Sequence, residues 1–299
     1  MDEQAETRRR AEAGDADAMF QLAAWALTGE QGEVDLARAR ELFLKSGEAG
    51  RLDGAVIYVN FMANGTGGPS DWMRAIELLR RLVPHEPRCA RDIELIERMA
   101  LSAEGDPLSV PDGEWLSEAP RVKLIRQFFT DEECDFLAQL AEPMLQPAMV
   151  KESADELTRH PGRTSDSVGF TWPIESPVVH ALNRRIAAAS ETDVDQGEPL
   201  QVLRYRPGQE YRPHFDAIPG FANQRIITFL VWLNDDYDGG ETAFLKTGLK
   251  VKGRKGDALM FRNVDESGQR DENSAHAGLP VTRGEKWLAS RWIRAHPLK

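Results

Sequence analysis

Displaced by 36 residues, the N-terminal third of this chain superposes on itself. "EAGDADAMFQLAAWALTGE" begins at Glu12 and "EAGRLDGAVIYVNFMANGT" at Glu48, and the same shift lays Gly29 on Gly65, Asp35 on Asp71, Ala39 on Ala75 and Leu42 on Leu78. A fixed period of this length leaves few folds open, because each copy is one helix pair that buries its apolar face only against the next copy. Apolar residues at helical spacing in "AMFQLAAWAL" and "ARARELFLKSGEAG" agree with that reading. Matched Ala and Gly residues let paired helices approach closely, and Gly29, Gly32, Gly65, Gly67 and Gly68 mark the turns.

Over its two units the pattern resembles Sel1-like repeats, relatives of the tetratricopeptide family, and the resemblance implies protein interaction as the job of these helices. Two units also suffice as a packing annex to a second domain. Residues 102–120, "SAEGDPLSVPDGEWLSEAP", are rich in Gly, Pro, Ser and acid and read as a linker. Beyond it, "RVKLIRQFF" has a strand pattern and "TDEECDFLAQLAEPML" opens on a capping box, with Thr130 as N-cap and Glu133 three residues on. A further helix is expected at "SPVVHALNRRIAAAS". After residue 198 the text becomes short β-rich runs without intervening helices: "LQVLRYR", "RIITFLVWLN", "ETAFL", "LKVK", "DALMFR" and "KWLASRWIR". Such spacing predicts a double-sheet jelly roll or barrel. The expected layout is α+β: α-helical repeats over 1–101, a linker over 102–120 and a jelly-roll domain with flanking helices over 121–299.

With 299 residues, 41% of them hydrophobic, the chain can build real cores. A formal net charge of −12 argues against a protein that works by gripping nucleic-acid phosphates or an anionic membrane surface. Only two cysteines occur, Cys89 and Cys134, without CxxC spacing, so neither a disulfide framework nor a zinc knuckle is expected and a reducing cytoplasm is the natural setting. The N-terminal "MDEQAETRRR" lacks a signal peptide's apolar core, and "IITFLVWL" is too short to span a bilayer.

The chemistry gathers in the β-rich part. In "YRPHFD", His214 and Asp216 are two apart, and in a strand that spacing turns both side chains to one face. A third ligand is required. Of the six histidines, His276 in "NSAHAGLPV" lies where a jelly roll returns the chain beside its first strands. Two imidazoles and one carboxylate on one side of an ion suit a non-haem Fe(II) oxygenase, and zinc hydrolases use the same ligand types. Ten residues after His276, Lys286 opens an otherwise apolar strand. A lysine directed into a core needs an anion, and a bound dicarboxylate would supply one.

The runs "LQVLRYRPGQEYRPHFD", "RIITFLVWLNDDYDGGETAFL", "KGDALMFRN" and "HAGLPVTRGEKWLASRWI" together resemble the catalytic core of prolyl 4-hydroxylases, in the 2-oxoglutarate and Fe(II)-dependent oxygenase superfamily. Matching segments reach from about Arg121 to Arg294. The resemblance implies Fe(II) on His214, Asp216 and His276, and Lys286 paired with the distal carboxylate of 2-oxoglutarate. It implies hydrogen bonds from Tyr205 and Thr228 to that cosubstrate, with Trp292 as pocket wall. O2 and 2-oxoglutarate would be consumed with release of succinate and carbon dioxide, ascorbate would be required, and a C–H bond of a peptidyl or protein residue, first of all proline, would be hydroxylated. A free amino acid or other small substrate is one alternative, a non-catalytic interaction protein using the helical repeats is another, and in either enzyme reading the repeats could bind a protein partner. Halogenases of the superfamily lack the carboxylate ligand, so Asp216 favours hydroxylation.

Each assignment has a plainer reading. Aromatic residues on half-buried strands commonly pack, so Tyr205 and Tyr211 are candidates for core as well as for pocket, and Thr228 is an ordinary strand residue. Arg163, in "PGRTSDSVGF", matches a segment near the substrate entrance, preceded by a polar loop in "KESADELTRHPG". One departure bears on specificity: family members often carry a histidine two positions after the tryptophan, where this chain has Arg294. The acidic run "NVDESGQRDENS" before His276 exceeds what a simple turn needs.

Overall fold

A computed structural model describes residues 3–148, 150–151, 157–158 and 162–298. The chain divides into two compact units, Met1–Leu108 with Phe170–Leu182, and Ser109–Gly169 with Asn183–Lys299.

The first unit contains helices α1 (Glu3–Glu12), α2 (Ala16–Thr28), α3 (Leu36–Glu48), α4 (Leu52–Asn64), α5 (Trp72–Leu82) and α6 (Pro87–Arg98). The 36-residue period falls on α2–α3 and α4–α5, and the superposed residues do the same work in both copies. Gly29 and Gly65 follow α2 and α4 at φ 73° and ψ 14°, a left-handed conformation that costs a residue without Cβ nothing. Asp35 and Asp71 cap α3 and α5, accepting at 2.9 Å from the Arg38 and Arg74 N–H groups. Their own N–H groups donate to Ala26 O and Met62 O, both at 2.8 Å. Ala39 and Ala75 are fully buried. A Cβ on Gly47 of α3 would fall 2.8 Å from the Ala55 Cα of α4, so only glycine allows that helix contact.

The helical core holds Ala23, Ala39, Leu42, Phe43 and Phe61, with Phe43 and Phe61 edge to face at 5.6 Å. Trp172 packs against the same cluster. Asn60 Nδ2 donates to Pro173 O at 2.8 Å and Asn64 Nδ2 to Trp172 O at 3.0 Å. The segment Phe170–Leu182 therefore belongs with the helical repeats, although it lies within the stretch 121–299 that the sequence assigns to the other domain. A second difference concerns 102–120: its Gly- and Pro-rich text reads as linker, yet Gly113–Glu118 is a strand paired with Arg121–Ile125.

In the second unit an eight-stranded sheet runs in the order Gly113–Glu118, Arg121–Ile125, Ala258–Arg262, Arg225–Trp232, Lys286–Arg294, Leu200–Tyr205, Asp166–Phe170 and Gln146–Pro147. A four-stranded sheet runs Lys250–Val251, Thr242–Phe244, His276–Gly278 and Tyr211–His214. In the larger sheet the pairs from Gly113–Glu118 through Leu200–Tyr205, and Asp166–Phe170 with Gln146–Pro147, are antiparallel, as are all three pairs of the smaller sheet. Residues of both sheets share one core, in which Phe244 meets Phe261 edge to face at 5.1 Å; this is the double-sheet arrangement expected from the short, evenly spaced strands. Helix α7 (Asp131–Ala141) begins on the expected capping box, Thr130 and Glu133 each bonding the other's backbone. Helix α8 (Pro177–Ser190) is the second expected helix. Cys89 and Cys134 are buried, free thiols. No helix among the described residues is long and apolar enough to cross a membrane.

Candidate active site

His214 ends its strand and lies directly opposite His276, the first residue of His276–Gly278. Opposed side chains on neighbouring antiparallel strands sit about 5 Å apart, so register alone brings the two imidazoles together, with ring centroids 4.2 Å apart. The acidic run before His276 is a tight turn rather than loose chain: the Asp265 carboxylate accepts from the Ser267 and Gln269 N–H groups, and Val264 bridges to Arg270. Asp216 differs from expectation. It lies in a bend beyond the strand end, so strand alternation does not aim its carboxylate. A hydrogen bond from Thr228 Oγ1 at 2.6 Å does.

The three side chains converge. Asp216 Oδ1 is 3.6 Å from His214 Nε2, Asp216 Oδ2 is 3.6 Å from His276 Nε2, and one ligand atom from each residue lies within 4.8 Å of the others. His214 Nδ1 is 2.8 Å from Arg212 O, and His276 Nδ1 is 2.9 Å from Ser274 O. A carbonyl only accepts, so each Nδ1 carries the ring proton and each Nε2 turns a lone pair inward. Burial, with the His276 imidazole adding to it, pushes His214 down to about 3 against the pull of Asp216. Burial drives the Asp216 carboxyl upward, but His276, His214 and the Thr228 hydrogen bond outweigh it and hold the group below the ordinary carboxylate range. At neutral pH His214 is thus a neutral imidazole and Asp216 a carboxylate, the protonation states a divalent ion requires. The donor set fits Fe(II) and leaves one side of the ion open.

Lys286 lines the same cavity as the three candidate ligands. It pairs in register with Tyr205 and is 3% exposed. Its Nζ donates to Gly240 O at 2.7 Å, and no carboxylate among the described residues comes within ion-pair distance. Burial pushes the ammonium down to about 8, Glu241 opposing and Lys252 adding. Strand alternation carries Leu288, Ser290 and Trp292 to the same cavity wall. A cation so placed, beside three metal-ligand groups, fits an anionic cosubstrate that reaches from the ion to the lysine.

The other expected residues divide. Tyr205, Tyr211, Arg163 and Trp292 all line the cavity. The Tyr211 ring stacks on His214 at 3.5 Å and 15°. The Arg163 guanidinium, 5% exposed, lies 5.2 Å from the Tyr211 ring and 5.9 Å from that of Trp292. Its Nη2 donates to Gln201 Oε1 at 3.2 Å, and its Nε has no partner. Residues 152–156 and 159–161 of the expected polar loop, His160 among them, fall outside the described residues.

Thr228 lines the cavity but has another partner than expected. Its one hydroxyl proton goes to Asp216, and its oxygen accepts from Asn263 Nδ2 at 2.8 Å. A carboxylate only accepts, so Thr228 has no proton left for the cosubstrate. Arg294 likewise turns elsewhere: it donates to Glu198 Oε1 at 2.6 Å and to Asn223 O at 2.6 Å. Glu198 also holds Arg225, whose guanidinium lies 3.7 Å above Trp292. Sequence reading missed Asn263, Glu198 and Arg225. For Asn263 a signal exists once the register is known, since Phe261 pairs with Thr228 and Asn263 follows by one strand period.

Comparison with known proteins agrees with this geometry. The 2OG-Fe(II) oxygenase superfamily matches residues 200–294. Prolyl 4-hydroxylase 1 of Arabidopsis thaliana is 34% identical over 252 residues, which cover 77% of this chain and 85% of that protein. Probable prolyl 4-hydroxylase 10 of the same plant is 33% identical over 237 residues, 70% of this chain and 82% of its own length. Among solved structures, the 2OG complex of the viral collagen prolyl hydroxylase from Paramecium Bursaria Chlorella virus-1 is similar at 30% identity over 58% of this chain and 96% of that one, with a TM-score of 0.47. The chain belongs to the 2OG-Fe(II) oxygenase superfamily and, within it, to the prolyl 4-hydroxylase family. It is a 2-oxoglutarate-dependent dioxygenase, and Fe(II), 2-oxoglutarate and O2 are its working set.

Proposed function

We propose that this enzyme hydroxylates prolyl residues of a peptide or protein, with Fe(II) on His214, Asp216 and His276 and the distal carboxylate of 2-oxoglutarate on Lys286. The observation that carries the reading is the pairing, in one cavity, of inward-facing imidazole lone pairs with a buried lysine that has no carboxylate of its own. Prolyl 4-hydroxylase relatives covering most of this chain support proline as the target. Bound iron with 2-oxoglutarate and O2 supplies the oxidation, coupling decarboxylation of the keto acid to succinate with transfer of one oxygen atom to a C–H bond.

The chain's own residues bind, orient and exclude water. Lys286 neutralises the far end of the cosubstrate in an apolar surround of Leu203, Leu230 and Leu288, where a charge-assisted hydrogen bond is strong. Tyr205, which pairs with Lys286 across the two strands and lines the cavity, would in this reading give its hydroxyl to the same carboxylate. Tyr211 and Trp292 line the cavity and supply aromatic surface against which a pyrrolidine ring can pack. Arg163, buried with its Nε unpartnered, offers donors to a peptide carbonyl. Ascorbate serves as reductant.

The Sel1-like helices already have an occupant from within their own unit. They hold the chain's own Trp172–Pro173 through the side chains of Asn60 and Asn64, so that part of their surface is already filled.

The test is succinate release together with a mass gain of one oxygen on proline-containing peptides, in the presence of Fe(II), 2-oxoglutarate and ascorbate. Turnover of free proline but of no peptide would move the assignment to a small substrate. Absence of turnover with either would count against prolyl hydroxylation altogether.

A further inference from the structure

Asn263 is fully buried, stands just past the strand Ala258–Arg262, and is not itself a lining residue of the cavity. Its Nδ2 donates to Thr228 Oγ1 at 2.8 Å, and Thr228 Oγ1 donates to Asp216 Oδ2 at 2.6 Å. Thr228 is 1% exposed, so water does not compete for either bond. We propose that Asn263 is a positioning residue for the metal centre: it commits the single hydroxyl proton of Thr228 to Asp216 and so fixes that carboxylate for metal binding. The inference rests on reading His214, Asp216 and His276 as the metal ligands.

A hydroxyl has one proton and can give it to any acceptor within reach. An amide N–H directed at its oxygen occupies a lone pair on that side and leaves the proton only the carboxylate side. The resulting bond is to an ionised acceptor, the stronger kind, and it resists rotation of the carboxylate about its Cβ–Cγ bond. That restraint matters here because Asp216 lies in a bend with no strand ladder to hold it.

Two more observations support a dedicated role. Asn263 Oδ1 has no hydrogen-bond partner although it is buried. An apolar side chain of similar size would avoid that penalty, and what the amide supplies in exchange is its donor to Thr228. The backbone of Asn263 also ties the centre together. Its N–H donates to Ile226 O at 2.9 Å, on the strand that carries Thr228, and its carbonyl accepts from Asp271 N–H at 3.0 Å, just ahead of the turn whose Ser274 carbonyl orients His276. One residue thus reaches toward the Asp216 side of the centre through its side chain and toward the His276 side through its backbone.

The experiment is a cobalt titration of the full-length metal-free chain, followed by visible absorbance, for wild type, Asn263→Leu, Thr228→Val and the double variant. Partners that orient a ligand from behind typically contribute roughly 10- to 100-fold to metal affinity. Thr228→Val should weaken Co(II) by that order, Asn263→Leu by roughly tenfold, and Asn263→Leu should add nothing in the Thr228→Val background, because its whole effect passes through the hydroxyl. Thr228→Ser, which keeps the hydroxyl, should bind as wild type. Unchanged affinity in Asn263→Leu, or losses that multiply in the double variant, would overturn the proposal. Asn263→Ala replaces the leucine variant if thermal melting of the metal-free form shows that leucine does not fit. If wild type itself binds no Co(II), the metal-site reading fails, and the proposal with it; if wild type binds and Asn263→Leu matches it, only the relay fails.

Discussion

Replacing Lys286 by methionine should move stability and cosubstrate binding in opposite directions. The ammonium is buried with one carbonyl acceptor and no counter-ion, and its pKa falls from 10.5 to about 8. At roughly 1.4 kcal/mol per pH unit, that fall corresponds to about 3 kcal/mol of burial cost carried by the metal-free, cosubstrate-free chain at neutral pH. Methionine removes the charge at similar volume but leaves Gly240 O without its donor, which returns about 1 kcal/mol. Lys286→Met should therefore be more stable than wild type by roughly 2 kcal/mol in the absence of ligands. In the presence of a metal surrogate such as Mn(II), its 2-oxoglutarate affinity should fall by about 2–4 kcal/mol, roughly 30- to 1,000-fold in Kd, because one partner of a desolvated ion pair is gone.

The pH dependence fixes the sign. Between about 8 and 10.5 the unfolded chain binds the Lys286 proton more tightly than the folded chain, so wild-type stability rises with pH across that window. The advantage of Lys286→Met should be complete below about pH 8 and gone near 10.5. Conversely, wild-type affinity for 2-oxoglutarate should weaken above about pH 8, by roughly tenfold per pH unit, since a neutral amine must first take up a proton. Urea unfolding in EDTA reads the first effect. Calorimetric titration in two buffers of different ionisation enthalpy reads the second and counts the proton. A variant that is less stable than wild type and still binds 2-oxoglutarate equally well would refute the reasoning.

His276→Ala should show no saturable Co(II) binding, while its melting in EDTA stays close to wild type; retained binding would remove His276 from the ligand set. Asp92 of α6 is pushed up to about 7 by burial, its hydrogen bond with Ser176 only partly opposing. The folded chain thus holds a proton there that the unfolded chain loses near 3.8, and stability falls as pH rises through that interval. Asp92→Asn should accordingly be more stable than wild type at pH 8, by at most about 4 kcal/mol, and equal to it near pH 3.8, by urea unfolding. Trp172→Ala should cost about 2–3 kcal/mol, a partial version of a full core truncation, and each of Asn60→Ala and Asn64→Ala about 1 kcal/mol; thermal melts without any loss would show that Phe170–Leu182 is not anchored on the helices.

What the sequence revealed, and what it did not, follows from how each feature is encoded. A metal ligand must be one of very few residue types, and a buried lysine is conspicuous in an apolar strand, so His214, Asp216, His276 and Lys286 stood out by identity and order along the chain. The repeat was equally open, because Gly29 and Gly65 must be left-handed and Asp35 and Asp71 must cap, and those demands restrict residue type at fixed spacing. Features that depend on a partner's position were closed to it. The tie between the helices and Trp172–Pro173 leaves no mark in the sequence because its acceptors are carbonyl oxygens, which every residue possesses. Thr228 was a candidate cosubstrate contact through the resemblance alone, and nothing in the residues near it in sequence shows Asn263 on its other side. The distinction bears on how this oxygenase can vary. A metal-ligand position admits few residue types, whereas the donor behind Thr228 could come from any side chain that reaches its hydroxyl. The aim of Asp216 is then set by sheet register, which pairs Phe261 with Thr228 and carries Asn263 to the same face, and a register slip of one residue would leave all three ligands in the sequence and disorder the site they form.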